Sequence, residues 1–294
     1  MPSTAVLRLQ IEHSLERRFP AALTPVPRTI RETAPTGIPA VDRLLEGGLP
    51  IGAISEITGP MSSGRTSLAL AFLAARTQED RVCAWVDAHD AFDSESAAAN
   101  GVALRQLLWV RCKDRGPQRQ VLVAGVEDRG PQRQVLVAGV EDGGPQRQVV
   151  VAGVVKAPNP TAKPWARLDQ ALSATDLLLQ AGGFAAIVLD LASTAPEHAC
   201  RIPLATWFRF RQAADRTRCS LLVLAQQPLA QSSAAVVLDC TRQIEEAPSQ
   251  TVLAGFTYQV RSGRQRFTPY LAGQRKLPAS TWSATTAAQR EATA

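Results

Sequence analysis

The octapeptide Gly59-Pro60-Met61-Ser62-Ser63-Gly64-Arg65-Thr66 holds the residues of this chain best suited to chemistry. Gly59 and Gly64 allow backbone angles that other residues resist, so successive N–H groups can turn inward toward phosphate oxygens. A helix starting near Thr66 would add the positive end of its dipole. The Thr66 hydroxyl can sit on Mg²⁺. Before it, where a phosphate loop carries lysine, stands Arg65. A planar, forked guanidinium does not replace an ammonium that fits as a point charge between β- and γ-phosphates. The loop predicts nucleotide binding, and Arg65 argues against efficient phosphoryl transfer. A carboxylate at the right distance would complete a Mg²⁺ site, and Asp190, at the end of the apolar run Ala186 to Leu191, is the candidate. A strand-terminal Asp otherwise serves as a turn or cap. Thr66 and Asp190 are metal ligands only if a Mg–nucleotide binds.

These residues require strands that end together on one edge of a sheet. From about Thr36 the pattern alternates between strand and helix: a short helix over Ile38 to Leu45, a strand over Ala53 to Thr58 and a helix over Thr66 to Thr77. There follow a strand over Val82 to Val86, a helix over Glu95 to Leu104, a strand over Leu107 to Cys112 and a helix over Trp165 to Gln180. The strand Ala186 to Leu191, the helix Leu204 to Thr217 and strands over Ser220 to Ala225, Ala235 to Cys240 and Val252 to Val260 complete the series. The pattern predicts an α/β fold with a mostly parallel, doubly wound sheet. Ahead of it, Leu7, Ile11, Leu15 and Phe19 fall four apart, the stripe of an amphipathic helix needing a partner surface. Pro20, Pro25 and Pro27 then make an extended linker.

The 294 residues are 45% hydrophobic and 20% charged, enough to bury a core. No apolar run approaches a membrane span, and the N-terminus lacks a signal-peptide core, so a cytoplasmic chain is expected. Five scattered cysteines, never in CxxC spacing, and three histidines imply reduced thiols and no structural zinc. Of the net charge of +6, +5 lies between Thr251 and Ala294, from six basic residues and Glu291. That end could meet a polyanion or an acidic groove, or be a solvated tail. Three divisions are expected: helix and linker over 1–34, the core over 35–270, and a mobile basic tail over 271–294. Within the core, units of fourteen residues repeat from Leu107 as LLWVRCKDRGPQRQ, VLVAGVEDRGPQRQ, VLVAGVEDGGPQRQ and a shorter VVVAGVVKAPNP. The first copy supplies a sheet strand, which makes 113–156 an insertion, either tolerated surface length or a binding arm.

The order of motifs resembles the RecA recombinase family. The residues that carry the likeness are Thr36-Gly37, Gly47-Gly48-Leu49-Pro50-Ile51-Gly52, the phosphate loop, Cys83-Ala84-Trp85-Val86-Asp87-Ala88, Ile187-Val188-Leu189-Asp190 and Leu222 to Gln227. The resemblance implies a RecA-like P-loop core with nucleotide contacts at Gly59, Ser62, Ser63, Gly64, Arg65, Thr66, Asp190 and Gln227, the last at the position that senses the γ-phosphate. It also implies that Leu7, Ile11, Leu15 and Phe19 pack on a neighbouring protomer, allowing self-association. Where the family has a water-activating glutamate this chain has His89, and where it stacks a tyrosine on adenine the matching position is Ser96. Neutral imidazole carries no charge to polarise water in that way, so no catalytic residue is assigned with His89 at that place. The segments that correspond to DNA-binding loops, about Ser193 to Pro203 and Pro228 to Ala234, are short.

A core without the lysine, the glutamate or long DNA loops looks like the ImuA group of RecA-like accessory proteins. That resemblance implies a non-hydrolysing, nucleoid-associated adaptor in SOS-induced translesion synthesis and mutagenesis. Its partners would be an ImuB-like relative of the Y-family polymerases, an alternative C-family DNA polymerase, and RecA itself, whose filaments it could modulate. No cofactor would be required, although ATP and Mg²⁺ could bind. The alternative is an active DNA-dependent ATPase or recombinase in which Arg65 and His89 have new roles. A cell-division inhibitor is a third reading that no residue specifically supports. Direct DNA binding could use Arg209, Arg211, Arg216 and Arg218, or Arg261, Arg264 and Arg266. The aromatics Trp207, Phe208 and Phe210 interleave with the first cluster at a spacing more typical of core.

Overall fold

The computed structural model describes residues 29–112, 166–243, 255–269 and 279–285. The chain enters through two short strands, β1 (Thr29–Arg31) and β2 (Thr33–Ala34), then helix α1 (Pro39–Leu44) and β3 (Leu49–Pro50). Next come β4 (Ile54–Thr58), α2 (Arg65–Gln78), β5 (Cys83–Asp87), α3 (Ser94–Ala99) and β6 (Leu107–Arg111). Helix α4 (Ala166–Ala181) leads to β7 (Ala186–Asp190), the single turn α5 (Pro196–Ala199), α6 (Leu204–Thr217) and β8 (Ser220–Ala225). Strands β9 (Ala234–Gln243), β10 (Gly255–Gln265), β11 (Phe267–Pro269) and β12 (Ala279–Thr285) follow.

The central sheet has eight strands in the order β12-β10-β9-β4-β8-β7-β5-β6. From β9 to β6 the pairings are parallel, and β10 runs antiparallel to both β9 and β12. This is the mixed α/β architecture, with a largely parallel sheet, expected of a RecA-like core. Parallel strands covered on both faces read as continuous apolar runs, which is why Ile187-Val188-Leu189 and Leu221-Leu222-Val223-Leu224 carry no polar residue. Alternation divides their side chains between two cores. Trp85, Val188 and Leu222 join Leu68, Phe72 and Leu73 of α2 on one face. Ala84, Ile187 and Val223 join Leu168 and Leu179 of α4 and Trp207 and Phe210 of α6 on the other.

One buried charge fixes a connection. Glu56, on β4, is fully buried, and its Oε1 accepts the backbone N–H groups of Leu229 (2.5 Å) and Ala230 (2.7 Å) after β8. Burial raises its pKa against the pull of those two amides. Glu56→Ala would strand two buried donors and is expected to cost about 3 kcal/mol. Glu56→Gln keeps an acceptor and should cost about 1 kcal/mol. Urea unfolding of the two variants checks the difference.

Several expectations shift. The helix expected to reach Leu104 ends at Ala99, because Gly101 takes φ +89° and turns the chain, and a 3₁₀ turn occupies Leu104–Gln106. Part of the expected linker over 1–34 is strand: β1 pairs in parallel with β11, and β2 pairs with β3. The segment 271–294, expected to be a mobile tail, contains β12. Its run of small and hydroxyl-bearing residues hides one alternating strand, whose Trp282 points into the core opposite Tyr258. The helix expected to carry Leu7, Ile11, Leu15 and Phe19, and the repeats over 113–156, lie outside the described residues. No described helix is long and apolar enough to cross a membrane.

Candidate functional site

Strand β4 delivers the chain into the loop, and α2 receives it. Gly59 (φ +148°), Ser62 (φ +57°) and Gly64 (φ +89°) all lie at positive φ, which reverses the chain within a few residues. A Cβ at Gly59 would overlap the Cys240 carbonyl oxygen of β9, so only glycine fits there. Met61, at the tip, is 83% exposed, and Ser62 and Thr66 are exposed beside it. Ser63 and Arg65 are buried instead, and Ser63 Oγ and Arg65 Nη1 have no protein hydrogen-bond partner. Burial lowers the guanidinium's pKa, and the negative charge of Asp190 works the other way. Two buried polar groups without partners at the start of a helix suit an anion. The residues present therefore fit the phosphates of a nucleotide, with Thr66 and Asp190 as the groups that would hold Mg²⁺.

The sheet edge brings in the carboxylates. Asp190 ends β7 and stands in register with Asp87 at the end of β5. Burial, reinforced by Asp87, pushes the Asp190 carboxyl up to about 6, against a hydrogen bond from the Ala192 N–H (3.0 Å) and the charge of Arg65. Asp87 is fully buried and accepts the N–H groups of His89 and Ala91 (each 3.1 Å) and Phe92 (2.8 Å). It thereby shapes the turn that carries His89. The imidazole is half-buried with no partner at Nδ1. Burial lowers its pKa, Arg167 adds to that, and Asp87 opposes it. At neutral pH this side chain is a neutral group.

The other sequence-derived residues are placed differently. Gln227 follows β8 at the same sheet edge, but its amide donates to Cys200 Sγ (2.8 Å) beyond α5. Ser96 is exposed, and its hydroxyl bonds to Asp93, the N-cap of α3. Trp207 and Phe210 are core residues, while Phe208 is 50% exposed. Arg209 pairs with Asp176 (3.6 Å) and Arg218 with Glu32 (2.5 Å). Arg211, Arg216 and Arg261 are exposed. Arg264 and Arg266 donate to the carbonyls of Gln231 (2.6 Å) and Ser232 (3.2 Å), tying β10 and its continuation to the segment after β8. Arg209, Arg218, Arg264 and Arg266 are thus each engaged in a separate contact. Among the described residues no cluster of three metal-ligating side chains occurs.

Sequence reasoning missed three residues of the site, one beside Asp190 and two against the loop. Asp87 could have been found by the signal that marks Asp190, an acid closing an apolar strand. Tyr258 and Trp282 gave no local signal. They come from β10 and β12, and a Cβ on Gly64 would lie 2.7 Å from Tyr258 Cγ and 3.1 Å from Trp282 Cζ2.

Residues 10–147 match the family described as the RecA N-terminal domain. Protein RecA of Nostoc sp. and of Trichormus variabilis are each 41% identical over 99 residues, 34% of this chain and 28% of the relative. RecA of Crocosphaera subtropica matches to the same extent. The match thus spans little more than a quarter of the curated relatives' length. Among solved structures, that of the RadB recombinase aligns with 84% of this chain and 93% of its own, at a TM-score of 0.48 and 14% identity. The sequence matches support a RecA-like superfamily and relatedness to the recombinases.

Proposed function

We propose that this chain is a RecA-like phosphate-loop protein that binds nucleotide without hydrolysing it efficiently. We further propose that it works as an adaptor in SOS-induced translesion synthesis and mutagenesis, through contacts with an ImuB-like polymerase relative, an alternative C-family DNA polymerase and RecA. The observation that carries the first part is the buried, partly unpartnered guanidinium of Arg65 inside an otherwise intact loop, beside a sheet edge where His89 stands in place of an acid. An anion can be held there. No carboxylate at the His89 position is available to orient and deprotonate water.

The short segments after β7 and β8 support an adaptor over a recombinase. Each folds back on the body, through α5 and through the Glu56 anchor, with Leu229 and Ala230 buried. The matched segment of RecA covers only part of that protein, so the polymerase partners rest on the resemblance to the ImuA group.

Phosphate release with and without single-stranded DNA is the test. Wild type is expected to turn over at background, and Arg65→Lys with His89→Glu together to raise the rate by about 10-fold or more. Robust wild-type turnover abolished by Thr66→Ala and Asp190→Ala would establish the active ATPase instead. A pull-down from DNA-damaged cells tests the polymerase partners.

A further inference from the structure

Two aromatic rings roof the phosphate loop, and both come from strands beyond residues 10–147, the span of the family match. Tyr258 of β10 and Trp282 of β12 are directly cross-strand partners, their ring centroids 5.3 Å apart and their planes inclined by 38°. Both are buried. They close over Gly64 so tightly that a single methyl group could not be inserted, and Ser67 in the first turn of α2 lies near enough to the Tyr258 hydroxyl to pull its pKa down against the rise that burial causes. Phe256 packs against Tyr258, and the Arg242 guanidinium lies 4.2 Å from the Phe256 ring centre, which extends the stack outward. The loop is therefore gripped from two sides, by the β9 backbone at Gly59 and by the two rings at Gly64.

We propose that Tyr258 and Trp282 are positioning residues, an aromatic clasp that holds the turn at Gly64 and the first turn of α2 in the arrangement a phosphate requires. This rests on the reading of the loop as phosphate-binding. Gly64 supplies the left-handed turn and offers no side chain to anchor it. A glycine loses more freedom than any other residue when it is ordered, and two rings packed on its bare face limit that freedom before a ligand arrives. Such preorganisation raises affinity by removing an ordering cost from binding. Trp282 then becomes an internal reporter of the loop, because any movement of Gly64 changes the packing of its ring.

The test uses the full chain and the variants Trp282→Leu, Trp282→Phe and Tyr258→Phe. Without ligand, amide hydrogen exchange across residues 64–68 is expected to quicken by about tenfold in Trp282→Leu, while β7 is unchanged. Equal acceleration in both places, or none in the loop, overturns the clasp. With Mg–pyrophosphate and Mg–ATP as probes, calorimetry should show about tenfold weaker binding in Trp282→Leu and at most about threefold weaker binding in Trp282→Phe, which keeps a ring on Gly64. Tyr258→Phe retains the ring and removes only the hydroxyl beside Ser67, so it tests the grip on α2 with little risk to folding, and is expected to speed exchange at Ser67 and Leu68 alone. Probe binding should shift the wild-type tryptophan emission, and Trp282→Phe should abolish that shift. Affinity in Trp282→Leu within twofold of a wild type that binds overturns the positioning role. A wild type that binds neither probe overturns the phosphate reading, and the exchange measurement still decides the clasp.

Discussion

Gly59→Ala is expected to destabilise the protein by about 4 kcal/mol and to abolish the nucleotide binding proposed above. Two costs combine. The residue stands at φ +148°, a conformation L side chains rarely adopt, and the new Cβ would collide with the Cys240 carbonyl oxygen. That oxygen cannot withdraw cheaply. It belongs to β9, which pairs with β4 on one side and β10 on the other. The loop must lift, and lifting it displaces Ser63 and Arg65 from the anion site. Thermal unfolding together with equilibrium dialysis against Mg–ATP measures both effects. A variant as stable as wild type would show that the contact between loop and β9 contributes nothing.

Asp190→Asn should raise stability at neutral pH in metal-free solution. The folded Asp190 carboxyl sits at about 6, above its ordinary value of 3.8, chiefly because it is buried. A group with a raised folded pKa binds its proton more tightly in the native state. Its contribution to stability is therefore fully present below about 4, is lost as pH rises through about 6, and is constant above that. The loss amounts to at most about 3 kcal/mol, reduced in the variant by whatever attraction Arg65 forfeits. Urea midpoints at pH 4.5 and 7.5 in EDTA should converge for Asp190→Asn relative to wild type. An unchanged pH profile would show that Asp190 is not the group responsible. Where Mg–nucleotide binds, the same substitution should weaken it, so the gain in stability is obtained at the expense of the site.

Much of this arrangement could be read in the sequence because it is local. The loop octapeptide, the strand ending at Thr58 and the helix beyond it lie within one short stretch. The apolar runs of β7 and β8 announce strands buried on both faces. The end of α3 was harder, since Gly101 follows an alanine-rich stretch whose propensity for helix does not show where it stops. Strand β12 was hidden by composition: serines, threonines and alanines read as a tail, although Trp282 occupies the inward position. The clasp was beyond any local signal, because nothing near Gly64 in sequence points to Tyr258 or Trp282. Glu56 is a similar case. A glutamate in an apolar strand reads as a position facing solvent, and only the fold reveals two amides waiting for it.

The placement of β4 bears on how the molecule comes to be. This strand is flanked by β8 and β9, whose residues follow it by well over a hundred positions, and its loop is roofed by still later strands. Long chain closures must precede the contacts that reward them, and topologies of this kind fold slowly. If nucleotide binds as proposed, it cannot template the earliest collapse. It would only capture the molecule after its last strands have docked, so adding ATP to a refolding reaction should leave the main rate unaltered and appear solely as slower unfolding.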